Sequence, residues 1–409
     1  MNPAGRGSVR GRFLPCLAAL AWFSTASAAE EDPVERGRAL FEGAESAPLS
    51  IRMGENILPA RGISCAGCHG GDAGGGEEAQ SGPPIDWATL SQPSPSRPGY
   101  TLASFAAALT EGHRPGGGEL GSAMPRFAFE RPEDAAALAA YLRVVAARQR
   151  TGFTADGIVF RSTTDPVAKP FLRAFEARVT ELAPNGVYGR RIRLSPEDAA
   201  FASIGAREIG SGEEMPDLFP LAPIIGDENP LDTRGAFASV ADQVAALAEG
   251  SGEMVILATP AMRARLREAL PRSATLHWRK GQAEGEIPIL GIGAAHLARA
   301  LEGTGEAPVY AMADDLAGVA IGSGRCLVVS DPRPVAGMPT EAPATRYGRT
   351  AATVLVEALR ICGPDCTRSR LMRAFDGVRA SPPDWPDLDY AEHPLTGSDE
   401  VALWSACMD

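Results

Sequence analysis

The chain has 409 residues, 44% hydrophobic and 22% charged, with a formal net charge of −12. That length accommodates about two or three domains with cores that need no staples. An acidic chain without clustered Lys and Arg excludes a nucleic-acid surface, which must neutralise phosphates.

The first residues set the compartment. "MNPAGRGSVRGR" carries Arg6, Arg10 and Arg12 and no acid, "FLPCLAALAWFS" is a short apolar run, and "ASAA" places Ala26 and Ala28 at a cleavage site. This pattern predicts a secretory signal peptide over residues 1–28 and a periplasmic mature chain. A membrane anchor is the competing reading, but the apolar run is too short to span a bilayer. Cys16 follows Pro15 at the start of that run, which argues against a lipoprotein. Cleavage removes three arginines, so the mature chain is more acidic still. No later stretch is long and apolar enough for a membrane span.

Three helices are predicted next. "DPVERGRALFEG" is a short amphipathic helix with Gly37 and Phe41 one turn apart. "YTLASFAAALTEG" is a second. "RPEDAAALAAYLRVVAARQ" is a third, with Pro132, Glu133 and Asp134 suited to its first turn. A small residue on the first lets Leu138, Tyr141 and Leu142 of the third approach closely.

Between them, residues 65–70 read "CAGCHG". Such a pair could bind zinc, cycle as a dithiol, form a disulfide or hold a haem. A zinc site needs a second ligand pair, and none follows at suitable spacing. A thioredoxin-like pair opens a helix after a strand, and "ENILPARGIS" shows no buried strand. The histidine directly after the second cysteine decides: C-x-x-C-H is the attachment signature of c-type haem. Cys65 and Cys68 would form thioethers, and His69 would be the fifth ligand to iron. Met124, in "LGSAMPRF", is the expected sixth ligand, because thioether sulfur is soft and Pro125 stiffens its loop. His113 in "TEGHRPGGG" is the rival.

Residues 33–148 resemble a class I c-type cytochrome, an all-α domain. The resemblance rests on CAGCHG, GPPI at Gly82 to Ile85, the "AMPRF" loop and the two terminal helices. It implies one covalent haem c and a proline carbonyl, Pro83 or Pro84, that orients the proximal histidine.

Residues 149–156 are expected to be a linker. Beyond it, strands and helices alternate. "GIVFRS", "RRIRL", "EMVILAT", "ATLHWR", "IPILGIG" and "APVYAMA" read as strands. "KPFLRAFEARVTEL", "SVADQVAALAEG", "AMRARLREAL", "AAHLARALEG" and "RYGRTAATVLVEALRICG" read as helices. Alternation of this kind predicts parallel sheets with crossover helices.

Residues 157–409 resemble type I periplasmic binding proteins, notably branched-chain amino-acid receptors of ABC transporters. "FEARVTELAPNGVYGRRIRL", "FASIG", "FPLAPIIGDENP", "YGRTAATVLVEALR" and "PLTGSDEVAL" carry the resemblance by their order. It implies an α/β fold of two lobes around a cleft that could hold a small-molecule ligand. Only "SPEDAA" separates "RRIRL" from "FASIG", so the first lobe is expected to be shortened. The head-group loop reads "AREIGSGEEMP", where Ser211 remains but Glu213 and Glu214 would repel a carboxylate.

Cys326, Cys362, Cys366 and Cys407 form an even set in an oxidising compartment, with three connectivities open or free buried thiols instead. "CGPDC" could bridge Cys362 to Cys366 locally, which would leave Cys326 with Cys407. His277, His296 and His393 are scattered and read as packed or surface residues.

The expected function is single-electron transfer, not enzymatic catalysis, since iron with ligands on both faces leaves no open site. The resemblance implies a redox partner protein, a periplasmic dehydrogenase with quinoproteins among the candidates. A second reading is a solute-binding or sensor protein of an ABC-transporter-like system with an appended haem domain. A third, an oxygen-binding or peroxidatic haem protein, requires that Met124 not bind iron.

Overall fold

The computed structural model describes residues 32–407 except 77–81, 96, 197–198, 210–214, 227–231, 252–253, 271–275, 278–286, 303–306, 323–325 and 334–341. The expected signal peptide, with Cys16, lies outside the described residues, as do Ser211, Glu213 and Glu214.

The N-terminal unit is built on two crossing helices. α1 (Pro33–Glu42) begins with Pro33, and the Asp32 side chain accepts the Val34 N–H at 2.9 Å. The chain then forms β1 (Ser50–Met53), β2 (Asn56–Pro59), α2 (Cys65–His69) and α3 (Trp87–Ser91). α4 (Leu102–Thr110) starts with a capping box between Thr101 and Ser104. β3 (Arg126–Ala128) and α5 (Asp134–Gln149) complete the unit. α1, α4 and α5 stand where the hydrophobic pattern put them. The antiparallel sheet, in the order β2-β1-β3, is an addition the sequence reading lacked. Every β2 residue is exposed, so that strand has no alternating pattern to read.

α1 and α5 meet backbone to backbone. A Cβ on Gly37 would overlap the Ala137 carbonyl oxygen. Phe41 and Tyr141 pack with ring centroids 5.3 Å apart. Arg36, buried, donates to both oxygens of buried Asp134, at 2.9 and 3.1 Å. The pair fixes the crossing, because a buried charge is tolerated only when paired and hydrogen-bonded.

The second unit has two lobes. β4 (Gly157–Ser162), α6 (Lys169–Leu182), β5 (Arg191–Ser195), β6 (Ala202–Ile204), β7 (Asp217–Leu218) and β8 (Thr233–Arg234) open the first. Its sheet is parallel throughout, in the order β5-β4-β6-β7-β8. Among the described residues no helix joins β5 to β6.

The second lobe comprises α7 (Val240–Ser251), β9 (Met254–Leu257), α8 (Pro260–Ala269), β10 (Leu276–His277), β11 (Ile289–Gly291), α9 (Ala294–Glu302), β12 (Val309–Met312) and β13 (Cys326–Asp331). The chain returns to the first lobe with α10 (Pro343–Cys362), α11 (Arg368–Ala374) and the short pair β14 (Arg379–Ala380) and β15 (Leu388–Asp389). β16 (Ala402–Cys407) closes the second sheet, in the order β10-β9-β11-β12-β13-β16, antiparallel to β13 at its edge.

Phe160, Phe171, Phe175, Tyr347 and Tyr390 are buried together in the first-lobe core. Gly348 brings α10 onto α6, since a Cβ there would overlap the Phe171 carbonyl oxygen. Cys362 and Cys366 form a disulfide where α10 ends. Cys326 and Cys407 are opposite residues in the β13–β16 register, while their side chains lie outside the described residues.

The two units meet. The expected linker, 149–156, starts on the last residue of α5 and turns tightly, with Thr154 N–H donating to the Gly157 carbonyl at 2.9 Å. A cavity of about 1440 Å³ lies between the units, with Cys68 and Asp72 on one wall and Asp232 and Arg373 on the other.

Two outcomes follow from this packing. Gly37→Ala should lower the unfolding free energy of the N-terminal unit by about 1–3 kcal/mol through overpacking, and a urea midpoint equal to that of the parent would refute the backbone contact. The second concerns Asp232. Partial desolvation in the wall of the cavity between the units, reinforced by the Asp72 carboxylate, holds the Asp232 carboxyl above its ordinary 3.8. Just above that value the folded chain keeps a proton that the unfolded chain has released. Stability therefore falls as pH rises through the window between the ordinary and the raised value. Asp232→Asn should flatten that fall in urea titrations, and an unchanged slope would contradict it.

Candidate haem site

α2 carries the attachment sequence as a single capped turn. The Ser64 hydroxyl accepts the Gly67 N–H at 3.0 Å, which starts the helix one residue before Cys65. The turn directs Cys65 and His69 inward, at 7% and 6% exposure, and leaves Cys68 exposed.

His69 is held in one tautomer. Its Nδ1 lies 2.7 Å from the Pro83 carbonyl oxygen, so Nδ1 donates and Nε2 keeps its lone pair. Of the two prolines in GPPI, Pro83 makes this contact. Burial lowers the His69 pKa, and the Pro83 carbonyl only partly opposes that, so the ring favours its neutral, metal-binding form. The ring also fills a cradle at Gly82, where a Cβ would overlap it.

The loop between these two points is tied at several places. Gly75 N–H donates to the His69 carbonyl at 2.8 Å, and Gly82 N–H to the Cys68 carbonyl at 2.6 Å. Ile85 N–H reaches the Ala73 carbonyl at 2.8 Å. His69 and Pro83 are therefore parts of one hydrogen-bonded loop.

Cys65 and Cys68 are both free thiols, and burial pushes the Cys65 thiol up to about 12. Redox-active C-x-x-C pairs depend on a lowered thiol pKa. The residues instead fit a covalent haem: two thiols one helical turn apart, an oriented neutral imidazole, and an apolar surround of Leu90, Phe105 and Leu109.

Met124 is half-buried and packs against that same apolar group. Arg126 fixes its loop, donating to the Met124 carbonyl at 2.6 Å and to the Leu120 carbonyl at 2.9 Å. The sequence reading missed Arg126, although its place two residues after Met124, at the start of β3, was a usable signal. His113 points elsewhere: it is exposed and lies 3.1 Å from Glu111. Trp87 adds an aromatic wall, edge-on to Phe105 at 5.5 Å and covered by the Arg143 guanidinium at 4.3 Å.

In the second unit, the order β5-β4-β6-β7-β8 reverses direction between β4 and β6, the position at whose carboxyl ends open α/β sheets bind ligands. Just beyond the ends of β6 and β4, Arg207 and Asp165 form an ion pair at 2.9 Å. Neither residue was singled out from the sequence, since no motif marks either one. His296 follows Gly293 at the start of α9, and His393 lies 3.5 Å from Asp399. The His277 side chain lies outside the described residues. Among the described residues, no group of three or more His, Cys, Asp or Glu is placed to hold a metal ion, and no helix is long and apolar enough to cross a membrane.

Comparison with known proteins separates the two units. No curated relative matches the chain. A substrate-binding protein of an ABC transporter from Desulfitobacterium hafniense, solved with Leu, is similar at 15% identity and TM-score 0.44, covering 61% of this chain and 97% of its own. A substrate-binding periplasmic protein from Ralstonia solanacearum is similar at 14% identity and TM-score 0.42, with 61% and 97% covered. A possible leucine/isoleucine/valine-binding protein from Rhodopirellula baltica SH 1 is similar at 13% identity and TM-score 0.42, with 62% and 94% covered. These values carry nothing about ligand or transport. Residues 34–146 match the cytochrome c family, so Cys65, Cys68, His69 and Met124 stand in a cytochrome c domain.

Proposed function

We propose that this protein is a periplasmic electron carrier with one covalent haem c. Cys65 and Cys68 tether the ring, His69 and Met124 ligate the iron, and the second, binding-protein-like unit serves docking or regulation. When bound, the haem supplies exchange of single electrons between two iron oxidation states. The chain does the rest. Pro83 keeps the Nδ1 proton and so presents Nε2. The apolar surround of Leu90 and Phe105 excludes water. Arg126 steadies the methionine loop. The expected donor is a periplasmic dehydrogenase, with quinoproteins among the candidates. The domain bounds that accompany this reading are 33–148 and 157–409, joined by 149–156, after a signal peptide over 1–28.

The single observation that carries the reading is the 2.7 Å contact of His69 with Pro83, directly after two unpaired cysteines.

Acid–acetone treatment of exported protein should leave the haem on the polypeptide, and Cys65→Ala with Cys68→Ala should abolish its attachment. Haem that extracts freely from the parent would refute the tether. The oxidised protein should also show the weak near-infrared band of a sulfur–iron bond. Met124→Ala should remove it. A band that persists in that variant would assign the sixth position to another residue.

A further inference from the structure

The haem loop has partners on two sides. Inside, its backbone is bonded to His69 and to the Pro83–Asp86 segment. Outside, it meets α11 of the second unit. The Arg373 guanidinium donates through Nη2 to the Gly74 carbonyl at 2.7 Å. Ser369, one turn earlier, donates through N–H and hydroxyl to the Gln149 side-chain oxygen at 3.0 and 2.9 Å. Gly74 lets the surfaces approach, because a Cβ there would come within 3.0 Å of the Ser369 Cβ.

α11 is itself anchored in the first lobe. Arg368, buried, donates to the Phe201 and Ala200 carbonyls at 2.9 and 2.7 Å, directly before β6. Arg234, at the end of β8, donates to the Met372 carbonyl at 3.3 Å. A continuous set of hydrogen bonds thus runs from the first-lobe sheet through α11 to Gly74. Gly74 lies between Ala73 and Gly75, the two residues that tie the loop to Ile85 and to His69.

We propose that Arg373 is a positioning residue for His69, and that docking of the second unit on the haem loop is linked to the oxidation state of the iron. This rests on the haem reading above. Arg373 holds the loop from outside, and the loop holds the Pro83 carbonyl against Nδ1. A hydrogen bond from the distal nitrogen of a ligating imidazole raises its basicity toward the metal. A slack loop weakens that bond and makes His69 the poorer donor. The oxidised centre, which needs the stronger donor, then loses more than the reduced one. By reciprocity, any factor by which docking shifts the reduction equilibrium is the factor by which reduction shifts docking. The state of the second unit and the electron on the first are coupled through one carbonyl.

The sign of the effect separates positioning from charge. Losing a nearby cation favours the more positive, oxidised centre and moves the potential down. Slackening the Pro83–His69 bond moves it up. The test is a mediated redox titration of the full-length holoprotein, as parent, Arg373→Ala and Ser369→Ala. Arg373→Ala should shift the reduction equilibrium upward by about threefold or more, on a scale of 59 mV per tenfold for one electron. Ser369→Ala should shift it the same way by less, and it keeps the measurement available if Arg373→Ala fails to mature. Hydrogen exchange at the Leu371 and Met372 amides should differ between oxidised and reduced parent. An unchanged or lowered potential in the variants, with haem attached, overturns the linkage alone. Absence of covalent haem in the parent overturns the haem reading, and the linkage with it.

Discussion

The structure of the haem site depends on one hydrogen bond, from His69 Nδ1 to the Pro83 carbonyl. It fixes the tautomer, aims Nε2 and sets how strongly the ring can donate to a metal. Its short span requires the chain to turn back sharply from α2. Gly82 permits that return, since any side chain there would strike the imidazole. The N-terminal unit then supports this turn from behind, with α1 and α5 locked by Gly37 and the buried Arg36–Asp134 pair.

The second unit repeats an α/β plan in each lobe, and α11 is its contact with the haem loop. α11 is a short helix between the disulfide at Cys362–Cys366 and the β14–β15 pair. Its Arg368 faces its own lobe and its Arg373 faces the haem loop. One helix therefore contacts both units. Arg207 and Asp165 pair just beyond the carboxyl ends of β6 and β4.

Much of this was legible in the sequence. CAGCH names its own chemistry, and long amphipathic segments such as α5, α6 and α10 declare their period. The short connection from β5 to β6 was visible in the six residues between "RRIRL" and "FASIG". What escaped was too short or too distant to leave a pattern. β7 and β8 have two residues each, too few for alternation. β2 is wholly exposed. Contacts such as Arg373 with Gly74, nearly three hundred positions apart, leave no periodic trace. Neither does the Arg207–Asp165 pair, whose partners are joined only by the sheet between them.

One haem held covalently by the Cys65–His69 turn, beside an oriented histidine, would show in the intact mass of the chain when the full sequence is expressed in a host that matures c-type cytochromes. A species heavier than the processed polypeptide by one haem is the predicted result. A processed polypeptide at its bare mass, or one carrying haem only until denatured, would contradict the account.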